Sequence, residues 1–97
     1  MKTFKVESEK ILERKLSKEI KRIGGLSIKL LSTHFTGLPD RLCLLPGGRL
    51  FFIEMKTTKQ NPRKIQLKVH KMIRNLGFKV LVIDTSEQIK DFISENE

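Results

Sequence analysis

The sequence has no tryptophan, no tyrosine and a single cysteine, Cys43. One cysteine cannot close an intramolecular disulfide, and it excludes a cysteine-built zinc cluster. Six Phe are the whole aromatic stock, and several sit in core-like positions, so a stacking platform for single-stranded nucleic acid is poorly supplied. No apolar run approaches the ~20 residues of a membrane span. The charged segment Met1 to Glu13 lacks the apolar centre of a signal peptide. The most basic stretch lacks the Trp or Phe stripe of an interfacial helix, which argues against a membrane surface as its partner. These absences point to an intracellular, cytoplasmic protein that is not secreted.

What is present fits one compact domain, residues 1–97, with 38% hydrophobic and 32% charged residues, a globular rather than a disordered composition. The net charge is +9, and it is unevenly placed. Residues 56–83 carry eight Lys or Arg and no acid, whereas residues 84–97 carry one Lys and five acids. A block of eight cations without an acid attracts a polyanion, and nucleic acid is the natural one. The competing reading is a solvated helix face on an ordinary basic protein.

Hydrophobic periodicity gives the order of elements. Leu12, Leu16, Ile20 and Ile23 recur at helical spacing within 7–23, and Gly24-Gly25 ends that helix. Residues 26–31 alternate weakly as a strand, and 32–39 read as a loop. Strands at 41–45 and 49–56 flank the turn Pro46-Gly47-Gly48 and form a hairpin. Asn61-Pro62 offers a cap and a first helical position, followed by an apolar stripe of Ile65, Val69, Met72, Ile73 and Leu76 ended by Gly77. The apolar run 78–83 reads as a buried strand. Ser86 is placed to cap a last helix with Ile89, Phe92 and Ile93 inside. The resulting order is α-β-β-β-α-β-α, an α/β fold.

The chemistry gathers in the hairpin. Side chains alternate along a strand, so Phe51, Ile53 and Met55 face one way and Phe52, Glu54 and Lys56 the other. The turn at 46–48 lies midway between Asp40 and Glu54, and pairing brings the two acids together. Two close carboxylates repel. A divalent ion that prefers oxygen, such as Mg²⁺, relieves the repulsion and keeps positions open for water and phosphate.

Gly37-Leu38-Pro39-Asp40, then Pro46-Gly47-Gly48, then Phe52-Ile53-Glu54-Met55-Lys56, then Gln66, taken in order and on these elements, resemble the VRR-NUC family, the virus-type replication-repair branch of the PD-(D/E)XK nucleases. The resemblance runs from the first helix to the strand at 78–83. It implies a restriction-endonuclease-like core with a central mixed sheet flanked by helices. It also implies hydrolysis of DNA phosphodiesters with Mg²⁺ or Mn²⁺ and no small-molecule cofactor. Stand-alone members of bacterial or viral type resemble homodimeric nucleases acting on branched DNA, including four-way Holliday junctions, in DNA repair.

Carried onto this sequence, the resemblance implies that Asp40, Glu54 and the Met55 backbone carbonyl hold the metal. Lys56 then acts on the attacking water or the phosphate, and Gln66 supports water or phosphate. An acid of the first helix approaches the metal: Glu13 by alignment from Gly24-Gly25, with Glu9 as the alternative and Glu7 pointing away. Lys29 aligns with a basic position near the site. Lys59, Arg63, Lys64, Lys68, His70 and Lys71 are the expected DNA contacts, and Cys43 is a small packing residue. A bare nuclease core has few side chains for reading bases, which favours structure-selective over sequence-specific cutting. A flap or nicking nuclease, or a catalytically silent DNA-binding module on the same fold, are the alternatives.

Overall fold

The computed structural model describes residues 6–31 and 34–97. The first residues of the N-terminal segment (1–5) and the start of the 32–39 loop (32–33) lie outside the described residues. The elements are α1 Glu9–Arg22, β1 Leu26–Lys29, β2 Arg41–Leu45, β3 Arg49–Met55, α2 Lys64–Asn75, β4 Lys79–Ile83 and α3 Ser86–Asn96. The order matches the one the sequence implies, and so does the α/β class.

The four strands lie in sequence order in one mixed sheet. β1, β2 and β3 are antiparallel neighbours, and β4 returns parallel to β3 after the α2 crossover. Strand alternation then divides the protein into two layers. Cys43, Leu45, Phe51, Ile53, Met55 and Ile83 point toward α1 and α3, where they meet Leu12, Leu16, Ile20, Ile89, Phe92 and Ile93 in the core cluster. Phe51 and Phe92 close that layer edge to face, with centroids 4.9 Å apart. α2 covers the opposite face beside β4, where the Arg74 guanidinium donates to the Val80 carbonyl at 2.7 Å. At the end of α1 the chain must pass close over the sheet. A Cβ on Gly25 would stand 2.6 Å from the Leu44 carbonyl oxygen, so only glycine fits there.

Several boundaries differ from the sequence expectation; α1 ends at Arg22, β3 ends at Met55 and β4 starts at Lys79, each one residue short. β1 stops at Lys29, and a single bond from the Leu30 N–H to the Asp40 carbonyl (2.7 Å) continues the pairing. α2 starts at Lys64, not after Asn61-Pro62, because Gln66 Oε1 folds back to accept the Arg63 N–H at 2.9 Å. That bond satisfies the backbone N–H of Arg63 and selects it as the cap, although the Arg63 side chain, a donor only, returns no bond. α3 is capped by Thr85, whose hydroxyl accepts the Gln88 N–H at 3.2 Å, while Ser86 is already helical. α1 begins two residues late: Ser8 is its cap, and Glu7 stays outside it.

Glu7 does not point away. It is buried at the N-terminus of α3. The Ser86 N–H donates to one carboxylate oxygen at 2.8 Å, the Ser86 hydroxyl donates to the other, and Lys15 Nζ lies 3.0 Å from that second oxygen. Its backbone exchanges bonds with Thr58, the Glu7 N–H reaching Oγ1 at 2.8 Å and the Thr58 N–H reaching the Glu7 carbonyl at 3.2 Å. One residue thus ties the start of α1, the β3–α2 loop and the start of α3 together. A carboxylate at a helix N-terminus also meets the positive end of the macrodipole.

The Ser86 hydroxyl, the Ser86 N–H and Lys15 outweigh burial and hold the Glu7 carboxyl down at about 2, from its ordinary 4.5. Because the folded value lies below the unfolded one, the stabilisation is present above about 4.5 and is lost as pH falls toward 2. Thermal melts across that window should show an acid-side loss of stability that Glu7→Gln reduces. An unchanged profile in the variant would assign the acid loss to other carboxylates.

Candidate active site

The β2–β3 register pairs Arg41 with Ile53, so the next position outward sets Asp40 across from Glu54, as the hairpin arithmetic requires. Asp40 is fixed by the Met55 N–H, which donates to its Oδ2 at 2.8 Å. Glu54 lies on the α2 side of β3 and has no solvent exposure. Its Oε2 takes two partners: Lys56 Nζ at 3.1 Å and Gln66 Nε2, which donates at 2.8 Å. Among the described residues, its Oε1 has no hydrogen-bond partner. The buried imidazole of His70 lies beside it, with Nε2 3.8 Å from Oε1, and among the described residues neither His70 nitrogen has a hydrogen-bond partner.

The structure brings some of the sequence-selected residues together and places others apart. Asp40, Glu54, Lys56 and Gln66 come together as the sequence implies. His70 is not a DNA contact: it has no exposure and lies one helical turn beyond Gln66 on the face of α2 turned to Glu54. The readable signal is a pair of polar residues, Gln66 and His70, spaced four apart and flanking the buried Val69. Glu13 is engaged by Arg41, with Nε 3.3 Å from Oε1. Glu9 is the acid of α1 that shares the field of Asp40, Lys56 and Lys29. Lys29, Lys59, Arg63, Lys64, Lys68 and Lys71 are all exposed. The α2 members of that set lie on its outer surface, and Lys59 is braced by its N–H donating to Asp84 Oδ2 at 2.9 Å.

Electrostatics marks the same centre. Burial, and then the neighbouring Asp40, push the Glu54 carboxyl up to about 7 against the pull of Lys56 and Gln66. Burial, and then Arg74 and Lys56, push the His70 imidazole down, so its neutral form is favoured at neutral pH. Burial and Asp40 raise Glu9. Glu54, Glu9 and His70 are thus all displaced toward their neutral forms around Asp40 and Lys56, a pattern that functional sites share with structural ion-pair networks.

Against known proteins, the chain superposes on a solved structure titled "VRR_NUC domain" with a TM-score of 0.86 at 27% identity, covering 94% of this chain and all of that one. It is 37% identical over 79 residues to "Putative nuclease p44" of Acyrthosiphon pisum secondary endosymbiont phage 1, which spans 81% of this chain and 85% of that protein. This chain belongs to the VRR-NUC family. No family model matches the sequence, so the assignment stands on the fold and on the phage relative. The VRR-NUC domain is a nuclease-type fold, and the residues at its centre are those that the sequence resemblance selects. Among the described residues, no helix is long and apolar enough to cross a membrane.

The raised Glu54 carboxyl also bears on stability. A carboxyl whose folded value lies above its unfolded one stabilises the fold while protonated, and that contribution is lost as pH rises from about 4.5 through about 7. At pH 8 in EDTA, Glu54→Gln should therefore melt several degrees above the parent. Every tenfold bias against the charged form costs about 1.4 kcal/mol, and a change of about 1 kcal/mol moves the Tm of a domain this small by about 4–8 °C. An equal or lower melting temperature would show that Lys56 and Gln66 fully compensate the burial of the charge.

Proposed function

We propose that this VRR-NUC domain is a metal-dependent, structure-selective DNA endonuclease of the PD-(D/E)XK type, acting as a homodimer on branched DNA such as four-way junctions. The observation that carries the reading is Glu54. It is a fully buried carboxylate facing Asp40, with one oxygen held by Lys56 and Gln66 and the other unpartnered. Such an arrangement is costly without a cation and suited to one. Among the described residues, no three His, Cys, Asp or Glu side chains gather to hold an ion alone. Two carboxylates completed by a backbone carbonyl, water and phosphate suit Mg²⁺ or Mn²⁺ better than a soft metal.

The residues that would hold the ion are Asp40, Glu54 and the Met55 carbonyl, with Glu9 rather than the Arg41-paired Glu13 as the acid approaching from α1. A divalent ion there supplies polarisation of the scissile phosphate and activation of water. Lys56 is anchored on Glu54 and presents an ammonium to the nucleophile and to the charge that develops on phosphate. Gln66 holds Glu54 in place through its amide N–H. Lys59, Arg63, Lys64, Lys68, Lys71 and Lys29 track the DNA backbone. That contact is independent of base sequence and fits selection by DNA structure.

Incubation with labelled four-way junctions, flaps and linear duplex, in Mg²⁺ or in EDTA, tests the reading. Cleavage should need the ion and prefer the junction. A preference for flaps or nicks would transfer the assignment to a repair nuclease, and binding without cleavage would leave a silent module. Glu54→Gln should abolish cleavage while keeping junction binding. Lys56→Ala should lower the single-turnover rate by roughly 10²–10³-fold with a smaller change in affinity. A pure affinity loss would make Lys56 a phosphate contact only.

Affinity should also fall steeply with salt, each phosphate contact adding about −0.9 to the log–log slope on duplex DNA. A slope near zero would remove the outer face of α2 from the DNA interface.

A further inference from the structure

α1 carries six cations and three acids along its length, and the fold treats the cations in two ways. Lys15 is paired with Glu7, and Arg22 with Glu19 and Glu97. Lys10, Arg14, Lys18 and Lys21 are exposed, and among the described residues none of the four makes an ion pair or a side-chain hydrogen bond. A period of 3.6 gathers these four within about 80° of the helix surface, opposite the buried Leu12, Leu16 and Ile20. No acid falls between them. They form a track about 16 Å long, with successive steps of about 4.5–6 Å.

The track starts beside the Asp40–Glu54 pair and leads away from it. At its head, Glu9 shares the field of Asp40, Lys56 and Lys29, and Glu13 meets Arg41, the neighbour of Asp40, at 3.3 Å. Further along, α3 borders the track without opposing it. Lys90 shares a hollow with Lys15 and Lys18, whereas Asp91 and Glu95 lie on the other flank of α3, beside Leu81 and Val82 of β4. α1 and α2 cover opposite faces of the sheet, so their outward faces point in opposite directions. α2 also starts at the active-site end, where Gln66 reaches Glu54. Two cationic tracks therefore diverge from one carboxylate pair, on either side of a molecule 22 Å across at its thinnest. Duplex DNA is stiff, with a persistence length of about 150 bp. A straight duplex laid across the active-site end touches the head of both tracks and cannot follow both. Two arms that diverge from a branch point can follow one each.

We infer that the outward face of α1 is a second DNA-arm track, on which Arg14, Lys18 and Lys21 hold the phosphates of an arm other than the one contacted by α2. This rests on the nuclease reading above and names the surface by which it would tell branched from linear DNA. The charge selects a duplex arm as the occupant: evenly stepped, unpaired cations suit a regular polyanion, and each phosphate contact releases counterions. Contacts of this kind carry no base information, so the selection they give is for the directions in which arms leave the branch point.

The test measures binding of the whole chain, in EDTA and over a salt series, to a labelled four-way junction and to a linear duplex with the sequence of one arm. The parent should bind the junction more tightly. Arg14→Gln/Lys18→Gln/Lys21→Gln should weaken junction binding at least tenfold and duplex binding less than threefold. It should also flatten the log–log salt slope on the junction by roughly 2–3, about 0.9 for each lost contact. Lys64→Gln/Lys68→Gln/Lys71→Gln should weaken both DNAs. All three α1 positions are exposed, so the α1 variant should keep the circular dichroism spectrum of the parent, and Arg14→Lys/Lys18→Arg/Lys21→Arg should restore junction affinity to within twofold. An α1 variant that binds the junction as the parent does overturns the track and leaves a solvated helix face. A variant weakened equally on both DNAs overturns the second arm, because α1 would then lie along the same duplex as α2. A parent that binds both DNAs equally overturns it as well. Each of these results leaves the nuclease reading standing, since cleavage by the parent in Mg²⁺ decides that separately.

Discussion

A carboxylate with no solvent exposure, Glu54, stands across a hairpin register from a second carboxylate, Asp40. Lys56 and Gln66 share one oxygen, and among the described residues the other oxygen has no hydrogen-bond partner. Much of the local structure serves to hold that arrangement. The Met55 N–H fixes Asp40. Gln66 reaches Glu54 with its amide nitrogen and caps its own helix with its amide oxygen, so the start of α2 and the orientation of Glu54 are set by one side chain. The neutral His70 fills the space behind without adding a charge. The stability the site forgoes is recovered on the other side of the sheet, where the tightly packed core between α1, α3 and the strands carries no ionisable partner for it.

This explains which parts of the sequence were legible. β3 could be read correctly because a period of two has only two phases, and the apolar Phe51, Ile53 and Met55 fix which one faces the core. Asp40 and Glu54 followed from the turn position alone. α1 was legible because Leu12, Leu16 and Ile20 make one stripe and bury it entirely. α2 was not. Its strongest apolar stripe is rotated by roughly 70° from the face it buries, because the helix is oriented by Gln66 and His70 toward Glu54 rather than by Ile65, Met72 and Leu76 toward a core. A periodicity argument assumes that the apolar face is the inner face, and it fails where a polar contact fixes the helix.

Glu7 escaped the reading for a related reason. Its position relative to α1 suggested an outward side chain, but it precedes the helix, and its partners Thr58 and Ser86 lie 51 and 79 residues away in sequence. No local pattern encodes a contact of that separation. The choice between Glu9 and Glu13 is similar. Glu13 lies at the margin of the apolar stripe of α1 and Glu9 nearer its middle, and what separates them in the fold is Arg41, which the β1–β2 pairing brings up to Glu13.

α2 concentrates these constraints in twelve residues. A period of 3.6 gives a helix three separable sectors, and each is spoken for. Gln66 and His70 face the carboxylate pair. Lys64, Lys68 and Lys71 face outward as cations. Ile65, Met72 and Leu76 face along the open sheet. The sectors share one rigid rod, so a shift of the helix that favours one displaces the other two. Any contact made by the cations on the outer face therefore acts on the same helix whose Gln66 orients Glu54, without a separate moving part.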